Sequence, residues 1–287
     1  MNDQDAVMKA RAFIAAVGPS GLPVSVEAYA AHIGGTVSLE SLEPEEDAWS
    51  VRLPNGSYKI CVNCGQNHRR QRFSICHEVA HVVLGIPAEH EAPSWSYARR
   101  SPGEVACDVF AAELLLPYKM FKPRVDAADP GMTAITDLAD EFDASLVSTA
   151  SRFATFSREY CAFVLSEAGK VRFCARSTSL RAAGVWISPG TILPTDSLSA
   201  RLRRGDTETG PVDAEPEQWF DDWSRSGFLY EDSCHIEQWD QTLTLLWFDD
   251  EELPPSPAER ERWDREREGL RELDGILPWP DKAKRRR

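Results

Sequence analysis

The first hundred residues switch between helical and two-residue periodicity. Apolar positions recur at helical spacing over residues 5–17 and again from Ser25 to His32, where Gly34-Gly35 stops the run. Alternation follows in Trp49-Ser50-Val51-Arg52-Leu53 and in Tyr58-Lys59-Ile60-Cys61-Val62. Between them stands Pro54-Asn55-Gly56, whose Asn-Gly pair predicts a tight hairpin with both central residues at positive φ. A long helix is expected from about Asn67 to Leu84, closed by Gly85 with Pro87 beyond. Its apolar residues (Phe73, Ile75, Val79, Ala80, Val82, Val83, Leu84) lie nearly all round, so this helix should be buried.

A polar loop spans 86–100, and Ser101-Pro102-Gly103-Glu104 opens the next helix with Ser as N-cap and Pro at its first position. That helix runs to Leu116 and halts at Pro117, and Pro123 to Pro130 reads as a connector. Ile135, Leu138, Ala139 and Phe142, then Val147, Ala150 and Phe153, mark two short amphipathic helices around Asp143-Ala144-Ser145, a helix-turn-helix pattern. Downstream the period returns to two. Cys161 to Leu165 and Val171 to Cys174 form one hairpin around Glu167 to Gly169, and Gly227 to Ile236 with Thr242 to Phe248 a second. A helix is expected near Glu215 to Ser224, and 251–287 reads as a charged terminal helix with a basic tail. The fold class is α+β. Residues 1–125 form a first domain with a small sheet, 126–158 a helix-turn-helix-like unit, and 159–250 a β-rich C-terminal domain.

Composition narrows the function classes. The 287 residues are 42% hydrophobic, enough for a core, and carry a formal net charge of −14. That balance disfavours broad contact with nucleic-acid backbone or an anionic membrane surface. No apolar stretch approaches the roughly 18 residues that span a bilayer. The seven cysteines (61, 64, 76, 107, 161, 174 and 234) are odd in number and scattered, which fits a reducing compartment. Residues Ala12 to Val17 are apolar but follow Asp3, Asp5, Lys9 and Arg11, so they read as an amphipathic helix rather than a secretion signal. The expected location is the cytoplasm.

The chemistry concentrates in His77-Glu78-Val79-Ala80-His81. Residues four apart share a helix face, so both imidazoles can address one ion. Glu78 is rotated about 100° from His77, beside the metal rather than on it, where a general base is needed for water activated by zinc. Two histidines and a glutamate in a buried helix are costly unless paired or metal-bound. A catalytic zinc site needs a third protein ligand and one open position. Among Glu89, Glu91, Glu104, Asp108 and Glu113, the pair Glu104 and Asp108 is four apart on the second helix. That spacing suits a ligand plus a carboxylate that orients a ligating histidine. Glu113 lies further along and projects elsewhere. Glu104 has a competing role, because Ser101-x-x-Glu104 is also a capping box. Ligation is the favoured reading.

These residues carry a resemblance. Arg70-Gln71-Arg72-Phe73 leading into the His77–His81 helix, and Glu104-x-x-x-Asp108-x-Phe110-Ala111-Ala112-Glu113-Leu114-Leu115-x-Pro117 after it, resemble the ImmA/IrrE metallopeptidases. The likeness covers roughly residues 5–160 and includes the strand end Ile60-Cys61-Val62-Asn63. It implies a zincin-like, mostly helical peptidase domain at 1–125, with His77, His81 and Glu104 binding one catalytic Zn2+, Glu78 as base and Asp108 behind a ligand. It also implies a protein substrate, a helix-turn-helix transcriptional repressor whose cleavage releases stress-response or mobile-element genes. In some relatives a sensor-like domain stands where residues 159–250 are found. Cys61-x-x-Cys64 departs from the family pattern; unpaired thiols or part of a second metal site are the two readings.

Two other function classes compete. A DNA-binding regulator could act through residues 133–157, but residues 126–160 carry seven acids against Arg152 and Arg158, a net −5 that phosphate would repel. A protein-interaction module with a decayed site is disfavoured, because a purely structural zinc needs no base at Glu78. His90, Tyr97 and Tyr118 are candidates to stabilise an oxyanion.

Overall fold

The long helix predicted around His77 is the element on which the rest is assembled. The computed structural model describes residues 3–43, 45–87, 101–221 and 227–248. The polar loop with Glu89, His90, Glu91 and Tyr97, and the charged segment expected at 251–287, lie outside the described residues.

Helices α1 (Asp3–Val17) and α2 (Val26–His32) precede a three-stranded sheet of β1 (Gly35–Glu40), β2 (Ala48–Arg52) and β3 (Tyr58–Asn63). The strand order is β1-β3-β2. The β2–β3 hairpin pairs antiparallel with Ser50 opposite Ile60, as the alternation predicts. Its turn differs from the expected two-residue form. Only Gly56 takes a positive φ, 88°; Asn55 instead turns its Oδ1 to accept from the N–H and Oγ–H of Ser57, so the loop is wider. β1 was not expected. It pairs parallel to β3, Val37 against Ile60, and such pairing leaves no local turn signal in the sequence.

Next come α3 (His68–Leu84), α4 (Pro102–Leu115) and α5 (Tyr118–Ala127). α5 corrects the connector reading of Pro123. The helix starts directly after Pro117, and its first N–H, on Tyr118, donates to Glu113 Oε1 at 3.1 Å. Pro123 removes one helical bond, but buried Phe121 and Val125 on either side hold the helix to the core. Phe121 meets the Phe142 ring edge-on at 5.2 Å. The helix-turn-helix pattern forms as α6 (Met132–Phe142) and α7 (Leu146–Phe156), turning through Asp143 at φ 49° with Ser145 as N-cap of α7.

The C-terminal part is a five-stranded sheet ordered β5-β4-β8-β7-β6. Its strands are β4 (Cys161–Glu167), β5 (Lys170–Arg176), β6 (Val212–Ala214), β7 (Leu229–Ile236) and β8 (Gln241–Phe248). Both predicted hairpins are present, joined through β4 and β8. Short helices α8 (Thr178–Ala182), α9 (Leu198–Arg203) and α10 (Pro216–Trp219) fill the connections. α10 is the only part of the helix expected over Glu215 to Ser224 that forms among the described residues.

The two faces of β4 and β8 serve different cores. Phe163 and Leu165, paired with Leu245 and Leu243, join the large core that runs through α1–α7 and includes Tyr29, Phe110, Phe142 and Phe153. Ala162, Val164, Leu246 and Phe248 face the opposite way, toward Leu180, Ile187, Trp219 and Phe220. Period-two alternation therefore places one sheet between two apolar layers. Asp232 of β7 fastens the junction by accepting the Met132 N–H at the start of α6 at 2.7 Å. Among the described residues, no helix is long and apolar enough to cross a membrane.

Candidate metal centre

Local chemistry fixes α3 at both ends. Asn67 Oδ1 accepts the Arg70 N–H at 2.9 Å, and Gln71 Nε2 donates to the carbonyls of Asn63 and Gln66 at 3.2 and 2.9 Å, tying the helix start to the end of β3. Arg70 ion-pairs with Asp47 ahead of β2. Arg72, buried, donates to the Val24 carbonyl at 2.9 Å and to the Asp143 carbonyl at 3.0 Å, joining α3 to the turn between α6 and α7. At the far end Gly85 closes the helix at φ 68°, ψ 31°. A Cβ on Gly103 would stand only 3.0 Å from Ile86 Cγ2, so glycine there lets the first turn of α4 approach the end of α3.

That approach brings three expected residues together. His77 Nε2 and His81 Nε2 are 3.0 Å apart. Glu104 Oε2 lies 3.1 Å from His77 Nε2, and its Oε1 lies 3.5 Å from His81 Nε2. Ser101 Oγ accepts the Glu104 N–H at 3.3 Å, so half of the capping box is present, while the Glu104 carboxylate faces the imidazoles. Glu78 stands beside them: His77, Glu78 and His81 each offer a ligand atom within 4.8 Å of the others. The Glu78 carboxylate is buried and accepts the Ser50 hydroxyl at 2.6 Å.

The outer ring nitrogens set the tautomers. His77 Nδ1 is 3.0 Å from Asp108 Oδ1, and His81 Nδ1 is 2.9 Å from the Ile86 carbonyl. A carbonyl and a carboxylate both take a proton, so each Nδ1 carries the hydrogen and each Nε2 presents a lone pair inward. Two lone pairs 3.0 Å apart repel unless a cation or a proton lies between them. Bonds of about 2.1 Å to nitrogen and oxygen in a tetrahedral zinc site put ligand atoms about 3.4 Å apart. The observed 3.0, 3.1 and 3.5 Å bracket that value, so the donor set fits one such ion. Burial disfavours the His77 imidazolium; hydrogen bonds to Asp108 and Glu104 outweigh it and raise the pKa to about 9. In the bare protein a proton answers the same negative surroundings that a metal ion would.

Other candidates go elsewhere. Glu113 is buried and bonds Arg11 at 3.2 Å and Arg152. Tyr118 has its ring between the Arg11 guanidinium, 4.3 Å from its centre, and Phe156 at 5.1 Å. It lines an open cleft of about 430 Å³ with Lys122, Thr155 and Arg158 that includes none of His77, Glu78, His81 or Glu104. Cys61 is buried against Ser38 and Glu40, whereas Cys64 is exposed. Neither belongs to a metal-binding group among the described residues. Ser50 was missed by sequence reasoning, since only the register of β2 against α3 brings it to Glu78. Cys107, with its Sγ 3.6 Å from His81 Nδ1, was also missed; burial pushes its thiol up to about 12.

No curated protein matches the chain in sequence. A solved Mycobacterium tuberculosis transcriptional regulator shares the fold, with a TM-score of 0.56 over 85% of this chain and 76% of that one, at 15% identity. The stretch from β1 to α7, holding every residue of the candidate metal centre, matches a peptidase family. Residues 36–154 match the model of the Peptidase_M78 family, described as an IrrE N-terminal-like domain.

Proposed function

We propose that this chain is a zinc metallo-endopeptidase in which His77, His81 and Glu104 hold one ion, Asp108 orients His77, and Glu78 is the general base. The convergence of two inward-facing Nε2 atoms and the Glu104 carboxylate carries this reading. Zinc there would supply a Lewis acid that acidifies a water molecule and polarises a peptide carbonyl. Glu78 takes the proton from the attacking water and returns it to the departing amine. Asp108 and the Ile86 carbonyl keep the two imidazoles in the ligating tautomer. β2 pairs with β3 on one side only among the described residues, and its open edge beside Glu78 suits an extended substrate segment.

The substrate we propose is a protein in the cytoplasm, a helix-turn-helix transcriptional repressor, whose cleavage would derepress stress-response or mobile-element genes. Family resemblance supports that assignment. The test is co-expression with a helix-turn-helix repressor encoded beside this chain, with and without chelator. One discrete fragment is expected with wild type, and none with chelator or with Glu78→Gln, which keeps its zinc. Cleavage by Glu78→Gln at the wild-type rate would remove Glu78 as base.

A DNA-binding regulator acting through α6 and α7 is the second reading. Burial of Arg152 against Glu113 speaks against it, because the pair then offers phosphate no arginine from α7. Sequence-specific retardation of DNA in a low-salt gel shift would restore it.

A further inference from the structure

Glu78 does not stand alone in the interior. Ser50 Oγ donates to its Oε2 at 2.6 Å, the length of a hydroxyl-to-carboxylate bond strengthened by charge. The donor comes from a different element. Ser50 lies on β2, where pairing with Ile60 fixes its position, and its neighbour Val51 is 43% exposed on the other face. A glutamate side chain has three rotatable bonds, and on a helix its two oxygens exchange places freely unless one is held. Here a strand holds Oε2, and the Glu78 carboxylate has an oxygen within 4.8 Å of ring nitrogens of both His77 and His81.

We propose that Ser50 is a positioning residue for the base: its hydroxyl locks the Glu78 carboxylate in one rotamer beside the metal centre. The inference rests on the metallopeptidase reading and deepens it. A simpler role, in which Ser50 only satisfies a buried carboxylate, predicts lost stability and nothing more. A positioning role predicts weaker interaction between Glu78 and whatever occupies the open position of the ion.

Acetohydroxamate is a suitable probe, since it chelates zinc and hands a proton to an adjacent carboxylate. Its affinity for the full-length zinc-loaded protein is measured by calorimetry, and zinc affinity separately by competition with a chelating dye. Ser50→Ala should bind acetohydroxamate about tenfold more weakly while zinc affinity stays within about twofold. Ser50→Thr, which keeps the hydroxyl, should restore it. In a Glu78→Gln background, Ser50→Ala should make little further difference, because the two residues act as one unit. Wild-type hydroxamate affinity in Ser50→Ala, or equal additional loss in the Glu78→Gln background, would overturn the proposal. Failure of the wild type to take up zinc would instead sink the metal reading, and the role of Ser50 with it.

Discussion

Arg152 of α7 is ion-paired with Glu113 of α4 in the interior, where Glu113 is only 1% exposed. Arg11 reaches the other Glu113 oxygen from α1 at 3.2 Å, and Tyr118 adds its backbone N–H. One carboxylate thus gathers three helices and starts a fourth. Burial pushes the Arg152 pKa down and Glu113 counters it, as expected for a charge kept in the interior by its partner.

Glu113→Ala should therefore cost much more than an ordinary surface change. It strands a buried guanidinium, for which about 3–5 kcal/mol is the usual penalty. Urea denaturation monitored by circular dichroism measures it. The double variant Glu113→Leu with Arg152→Met should recover most of that loss, since apolar packing replaces both charges. A loss in Glu113→Ala under about 1 kcal/mol would contradict the interior pairing.

Asp108→Ala should weaken zinc binding by about 10- to 100-fold without unfolding the chain. The affected contact is the 3.0 Å pair with His77 Nδ1, which fixes the tautomer that leaves Nε2 free. Competition against a chelating dye reads the affinity. Thermal unfolding gives a second view: zinc at a hundredfold over its dissociation constant should stabilise wild type by about 2.7 kcal/mol. Unchanged affinity in Asp108→Ala would leave the carboxylate with no orienting role.

Thiol reactivity should be strongly uneven. Cys64 is exposed, whereas Cys61, Cys76, Cys107 and Cys161 are buried. Burial raises the Cys76 and Cys161 thiols well above the usual range, and lifts Cys174 to about 12 and Cys234 to about 11. Brief alkylation of the native protein at pH 8, followed by peptide mapping, should mark Cys64 first and the buried thiols only after unfolding. Early labelling of Cys76 or Cys107 would show an opening of the α3–α4 interface.

The sequence made local relationships readable and long-range ones invisible. His77 and His81 share a face because a helix repeats every 3.6 residues, so their convergence follows from spacing alone. Glu104 and Asp108 follow from the same rule, yet which histidine each addresses depends on how closely α4 approaches α3, set by Gly103 against Ile86. Ser50 reaches Glu78 across 28 residues, and β1 joins β3 in parallel, so neither leaves a short-range pattern. Pro123 gave a false signal: proline argues against a helix interior, but buried Phe121 and Val125 outweigh the lost bond. Tyr118 shows that residue chemistry without position misleads, since Arg11 and Phe156 already engage its ring.

The sheet that divides the two apolar layers also limits how the chain can be taken apart. Phe163, Leu165, Leu243 and Leu245 complete the core that contains Phe142 and Phe153. A chain cut at residue 158 would lose those four side chains together with the Asp232 carboxylate that holds the start of α6. The helices around the histidines would then carry an uncovered apolar wall and aggregate through it. The part that resembles a self-sufficient peptidase is, in material terms, an unfinished solid whose last surface is supplied by the strands that follow it.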